Sequence, residues 1–159
     1  MATLTYSFDT SALIDGIERF YPIEHFPRLW EQIDDLIQEG RLLISEEAWL
    51  ESVKLDLPLK KWCESSVVDR TVSIIETDDD IADRVGVIVT QFPKLAKPGR
   101  KSGADPFVIA VAEIRGAMVI TGEKQGGPSN VTIPYMCNNR GTVHGRFVDV
   151  VRNEGWRFT

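Results

Sequence analysis

Four carboxylates are placed where a folded chain could bring them together: Asp9, Glu51, Asp105 and Glu123. Asp9 closes the apolar lead-in Leu4 to Phe8. Glu51 lies on the helix that follows the apolar run Leu42-Leu43-Ile44. Asp105 opens a strongly apolar helix, Pro106 to Arg115, and Glu123 comes just after the strand-like Met118-Val119-Ile120. In parallel α/β sheets, ligands and chemistry gather beyond the carboxyl ends of the strands. Carboxylates crowded there repel one another, and burial raises their pKa values. A cation relieves both costs. Oxygen-only donors select hard ions such as Mg²⁺ or Mn²⁺, and two such ions can activate water and stabilise the leaving oxygen in phosphodiester cleavage.

Each acid also has an ordinary reading. Asp105-Pro106 suits a helix N-cap followed by proline at N1. Glu51 could pair with Lys54 on an exposed helix face, and Glu123 could be a solvated turn residue. Asp9 is harder to explain this way, because aspartate is disfavoured in strands. The argument for a shared site rests on the set.

The elements that must position these acids read as alternating strands and helices. Residues 4–8 suit a first strand and residues 10–17 a short helix ending near Gly16; Phe20-Tyr21-Pro22-Ile23 suits an irregular turn. Leu29, Trp30, Ile33, Leu36 and Ile37 follow helical spacing between Phe26 and Glu39. Leu42–Ile44 suits a second strand, and Ser45-Glu46-Glu47 a helix start with a hydroxyl cap and acids in its first turn. A short helix around Leu59–Glu64, a strand-like Thr71–Ile75 and a helix from Asp78 to about Phe92 come next. After Met118–Ile120, the sequence predicts a strand over Val131–Tyr135, a helix over Gly145–Glu154 and an edge strand over Gly155–Phe158. Short apolar strands without polar alternation indicate a parallel sheet covered on both faces. The fold class is therefore α/β: a three-layer sandwich with a central, mostly parallel sheet of four to five strands and helices on both faces.

The 159 residues suit a single domain, 1–159, and 43 % hydrophobic with 26 % charged residues suits a globular protein. The net charge of −6 argues against a passive, charge-driven nucleic-acid binder but not against an enzyme that holds cations in an acidic cleft. No apolar run is long enough to span a membrane, and no secretory signal is visible. Cys63 and Cys137 match no metal or redox spacing and read as reduced cysteines of a cytoplasmic protein, with one disulfide left open. His25 and His144 lack ligand-like spacing. Trp30, Trp49 and Trp62 stand at helical positions and suit a core or a partner surface. A basic loop, Lys94, Lys97, Arg100 and Lys101, precedes Asp105 and could contact phosphates or simply be solvated. Lys124, Arg140, His144 and Arg146 are weaker candidates.

Taken in order, Phe-Asp-Thr-Ser-Ala-Leu-Ile at 8–14, Ile44-Ser45 with an acid at Glu51, Ala-Asp-Pro-Phe-Val-Ile-Ala-Val-Ala at 104–112 and Val-Ile-Thr-Gly-Glu at 119–123 resemble the PIN domain. The resemblance spans residues 6–123 directly; the tail, with Ile133–Cys137 and Gly155–Phe158, is compatible but sets the chain apart from the best-studied toxins. It implies a metal-dependent nuclease, in bacteria often the RNA-cleaving toxin of a toxin–antitoxin pair. It also implies an RNA substrate, an antitoxin as partner, room for a homodimer, and Mg²⁺ or Mn²⁺ as cofactor. Carried over, Asp9, Glu51, Asp105 and Glu123 are the catalytic metal-site acids, and Thr10, Ser11 and Thr121 the polar residues beside them. Lys97, Arg100, Lys101 and Lys124 are candidates for substrate phosphate. The family's fourth acid is often aspartate where this chain has Glu123, and Glu47, one turn before Glu51, competes for the second place. Two other functions stay open: a catalytically silent PIN-like scaffold that binds a protein, and a phosphatase with Asp9 as nucleophile. For the latter, Ser11 stands where a second aspartate would be needed.

Overall fold

The computed structural model describes residues 3–55, 58–65, 69–96 and 103–159. Strand β1 (Tyr6–Phe8) leads into α1 (Thr10–Ile14), which continues without a break as a π-helical segment, Asp15–Phe20. Then come α2 (Pro27–Gln38), β2 (Leu42–Ser45), α3 (Glu46–Lys54) and α4 (Pro58–Cys63). A 3₁₀ turn at Arg70–Ser73 precedes β3 (Ile74–Ile75), α5 (Asp79–Gln91) and a second 3₁₀ turn at Pro93–Ala96. The chain ends with α6 (Asp105–Arg115), β4 (Met118–Ile120), α7 (Ile133–Arg140), β5 (His144–Gly145) and α8 (Phe147–Glu154).

The strands form one five-stranded sheet in the order β3-β2-β1-β4-β5, and every pairing is parallel. Tyr6 stands opposite Leu42 on one side and Met118 on the other, and Phe8 opposite Ile120. The chain thus builds outward from β1 to β3, returns, and builds the other way through β4 and β5. Parallel pairing requires a crossover over the sheet for each step, which gives the three-layer α/β arrangement. Helix α6 packs on β1, β2 and β4, and α2 packs on β2. Ser7 is fully buried in β1, and its hydroxyl donates to the Val108 carbonyl of α6 at 2.9 Å. That bond fixes α6 against the strand that ends at Asp9.

Local chemistry explains most element boundaries. Ser45 caps α3, its hydroxyl accepting from the Ala48 N–H at 3.2 Å, and Asp78 caps α5 by accepting from the Ile81 N–H at 2.9 Å; such caps contribute about 1 kcal/mol each. Gly116 ends α6 with φ 65°, a left-handed conformation that suits glycine. The aromatic side of the core joins Trp30 to Trp62 and Phe147, with ring centroids 5.7 and 5.6 Å apart. Both tryptophans are buried, as their helical positions predict. Cys63 and Cys137 are buried free thiols. Among the described residues, no helix is long and apolar enough to cross a membrane.

Two predicted elements are corrected. Val131–Tyr135 is not a strand: α7 begins at Ile133, because Thr132 caps it by accepting from the Tyr135 N–H at 3.3 Å and Pro134 suits its first turn. The apolar, β-branched look of the segment yields to that cap. Gly155–Phe158 forms no strand; Gly155 turns the chain out of α8 at φ 68°. The edge strand is His144–Gly145 instead, paired with Val119 and Ile120. The helix after β1 is also longer than predicted, running through Gly16 to Phe20.

Candidate active site

With β1 central and the chain reversing direction on either side of it, the topological switch point lies between the carboxyl ends of β1 and β4, where α/β sheets open a crevice. Asp9 follows the first of these strands and Thr121 the second. The backbone N–H of Asp9 still donates to the Ile120 carbonyl at 2.9 Å, so the residue stays anchored to the sheet on the β4 side. Its extended backbone would let the side chain cap α1, yet no cap bond forms. The carboxylate instead accepts from Ser11 Oγ at 2.5 Å and from Thr121 Oγ1 at 3.1 Å. The same hydroxyls accept in turn from the backbone, Ser11 Oγ from Gly122 N–H at 2.9 Å and Thr121 Oγ1 from Glu123 N–H at 3.1 Å. Both are thereby oriented to donate toward Asp9.

Asp9 is 4 % exposed and Asp105 is 2 % exposed. Burial pushes the Asp9 carboxyl well above the ordinary carboxylate range, the charges of Asp105 and Glu123 push it further, and the Ser11 and Thr121 hydroxyls oppose them. Asp105 is the first residue of α6 rather than its N-cap; that position belongs to Ala104, and no side chain caps the helix. The simple capping explanation of Asp105 therefore fails. Glu123 reaches across to α7, where one carboxylate oxygen accepts from the Ile133 N–H at 2.9 Å. An acid there is favoured by the positive end of the helix dipole.

The remaining predicted residues fall in different places. Glu47 and Glu51 are half-buried on α3, a helix packed on both α1 and α6. The Thr10 hydroxyl donates to the Ala48 carbonyl at 3.3 Å, tying α1 to α3. Lys97, Arg100 and Lys101 lie outside the described residues. Lys94 donates to the Pro128 carbonyl at 2.7 Å. Arg140 is bound to Glu113, and His144 faces Asn138 at 3.0 Å.

Two neighbours of the site were not singled out by the sequence reading. Asp15, one turn after Ser11, packs its carboxylate against Gly122; a Cβ at Gly122 would collide with that carboxylate and approach the Ser11 carbonyl to 2.9 Å. The spacing of four residues puts Ser11 and Asp15 on one helix face, which was the available signal for Asp15. Gly122 itself is the other, and only the close approach reveals it.

Among the described residues, no three of His, Cys, Asp and Glu converge into a ready-made chelate. The donor chemistry nonetheless suits a hard divalent ion: the groups gathered at Asp9 are carboxylates and hydroxyls. A cation among them would relieve the repulsion that raises Asp9. Asp105 and Glu123 are the acids whose charges act on Asp9 here.

The fold is similar to that of three solved structures. DNA-bound VapBC from Salmonella typhimurium is 18 % identical, with a TM-score of 0.56 over 91 % of this chain and 99 % of that one. FitAcB from Neisseria gonorrhoeae is 17 % identical, with a TM-score of 0.53 over 88 % and 96 %. FitAB bound to the IR36 DNA fragment is 19 % identical, with a TM-score of 0.55 over 89 % and 94 %. At such identities the likeness is one of fold, an α/β, PIN-like fold. No curated protein matches the chain. A family model matches residues 6–158, nearly the whole sequence, and the chain accordingly belongs to the family described as Domain of unknown function (DUF4411).

Proposed function

We propose that the chain, acting as a single domain in the cytoplasm, is a divalent-metal-dependent endoribonuclease and the toxin of a toxin–antitoxin pair. The observation that carries this reading is the buried carboxylate of Asp9 at the switch point of the sheet, raised by burial and by the neighbouring charges of Asp105 and Glu123. An arrangement that disfavours its own charged form fits a site completed by a cation. The likeness to VapBC and FitAB supports a toxin–antitoxin setting, with an antitoxin as partner and room for a homodimer.

In this reading Asp9, Asp105 and Glu123, with Glu51 or Glu47 from α3, hold Mg²⁺ or Mn²⁺. The metal would supply an activated water and stabilise the leaving oxygen of the phosphodiester. Ser11 and Thr121 orient the Asp9 carboxylate through their two hydrogen bonds, so its outward lone pairs are fixed before any ion or substrate arrives. Gly122, lacking a side chain, keeps the β4 loop close to Ser11 and Asp15.

The test is cleavage of single-stranded RNA in Mn²⁺ by the unmodified chain and by Asp9→Asn and Asp105→Asn. Loss of cleavage in both, with the fold retained by circular dichroism, supports the reading; undiminished cleavage in either removes it. A second reading, a catalytically silent protein-binding scaffold, is favoured by one observation: Glu123 spends a carboxylate oxygen on the N-terminus of α7. Calorimetric titration with Mn²⁺ separates the two, since a silent scaffold gives no heat above background.

A further inference from the structure

Beside the acids, a cavity of about 530 Å³ lies between the π-helical segment and the start of α8. Its walls include Arg19, Phe20, Tyr21, Lys124, Arg146 and Phe147, with Asp15 and Gly122 on the side toward Asp9. We propose that this cavity is a nucleotide subsite: it takes one unstacked nucleotide of single-stranded RNA flanking the scissile phosphate. The proposal deepens the nuclease reading and rests on it.

Position is the first argument. Gly122 belongs both to the cavity wall and to the acid site, because its N–H donates to Ser11 Oγ, which donates to Asp9. Arg146 approaches the same loop, its Nη1 donating to the Thr121 carbonyl at 3.4 Å. A strand crossing Asp9 would therefore pass directly into the cavity.

Chemistry is the second. Three cations face one carboxylate here, on a chain whose net charge is −6. Asp15 is itself paired with Arg19 at 3.1 Å, which leaves Lys124 and Arg146 for an anion. Phe20 is 58 % exposed, and its ring stands 6.3 Å from that of Tyr21. An exposed aromatic beside cations is the combination that binds single strands, with the base stacked and the phosphate neutralised. The volume falls within the roughly 300–1,000 Å³ of small-molecule pockets, room for one nucleotide.

Backbone construction is the third. The widened turn from Asp15 to Phe20 carries Asp15, Arg19 and Phe20 to the cavity; such π-segments recur at functional sites. Gly16 makes the wall possible, since a Cβ there would run into the Phe147 ring.

The test uses the Asp9→Asn chain, expected to bind without cutting, and fluorescently labelled short oligoribonucleotides followed by anisotropy. Phe20→Ala is expected to weaken single-strand binding about tenfold, and Phe20→Tyr to restore it. Lys124→Gln and Arg146→Gln are expected to weaken binding and to flatten its dependence on salt. Phe20 is largely exposed, so its variants keep the fold, which thermal unfolding verifies. Unchanged affinity in all three weakening variants, while the parent chain cleaves RNA, overturns the subsite and leaves the nuclease reading standing. Preference for a duplex or for an apolar peptide over single strands also overturns the subsite. Absence of both RNA binding and cleavage removes the two readings together.

Discussion

The buried carboxylate of Asp9 and the half-buried one of Glu113 meet opposite surroundings. Glu113, on α6, accepts from Arg140 Nε and Nη2 at 2.7 and 2.6 Å, from Arg84 Nη1 at 2.8 Å and from the Thr142 hydroxyl at 2.7 Å. Burial would raise its pKa, but the Arg140, Thr142 and Arg84 hydrogen bonds outweigh burial and lower it to about 2. Asp9, at the other end of the fold's logic, is raised by burial and by Asp105 and Glu123, with two hydroxyls opposing. Glu113 is a finished structural joint between α5, α6 and the region after α7. Asp9 meets like charges and two hydroxyls. A buried acid is therefore informative through its partners rather than its burial.

The largest expected effect breaks the comparison on the catalytic side. Asp9→Asn or Asp105→Asn should lower RNA cleavage by about 10³-fold, on the order of 4 kcal/mol of transition-state stabilisation. Glu113→Gln should leave the chemistry intact in the folded fraction. Single-turnover assays on the three variants test the contrast; equal losses would erase it.

The next effect is structural and runs the other way. Glu113→Ala leaves the half-buried Arg140 guanidinium without its carboxylate and should cost about 3 kcal/mol in urea unfolding. The pH dependence has a definite sign. The folded pKa of Glu113 lies below its ordinary value of 4.5, at about 2, so its stabilisation is complete above pH 4.5 and is lost as pH falls through 2. The stability gap between the unmodified chain and Glu113→Gln should shrink over that window, and a gap independent of pH would refute the assignment.

Smaller still, Asp9→Asn should make the metal-free chain more stable, by about 1 kcal/mol, because it removes a charge that burial disfavours. Urea unfolding in a chelating buffer measures it, and destabilisation would show that the Ser11 and Thr121 bonds outweigh the repulsion. Ser11→Ala should reduce cleavage less than Asp9→Asn, by roughly tenfold, since it frees the carboxylate to rotate without removing it; a KM effect with unchanged kcat would contradict this orienting role.

The part of this arrangement visible in the sequence was the part written in residue type against local structure. An aspartate closing an apolar strand conflicts with local propensity, whereas one opening an apolar helix does not and stood out only as part of the set; both prove buried. The strands beside them were legible because parallel, covered strands are uniformly apolar. What could not be read depends on contacts distant in sequence. Helix α7 is capped in part by Glu123, ten residues earlier, while Val131–Tyr135 locally suits a strand. The strand at His144–Gly145 is too short to leave a periodic signal, and the π-helical segment keeps the composition of an ordinary helix. The cavity joins residues 15–21 to 122–148, a juxtaposition no local pattern encodes.

Asp9 hangs from the most interior strand of the sheet, bonded on both flanks, and its own amide is tied to Ile120. Amides so placed exchange with solvent mainly through global opening. The backbone that carries Asp9 therefore shares the lifetime of the whole fold. Hydrogen exchange at Asp9 should be among the slowest in the protein.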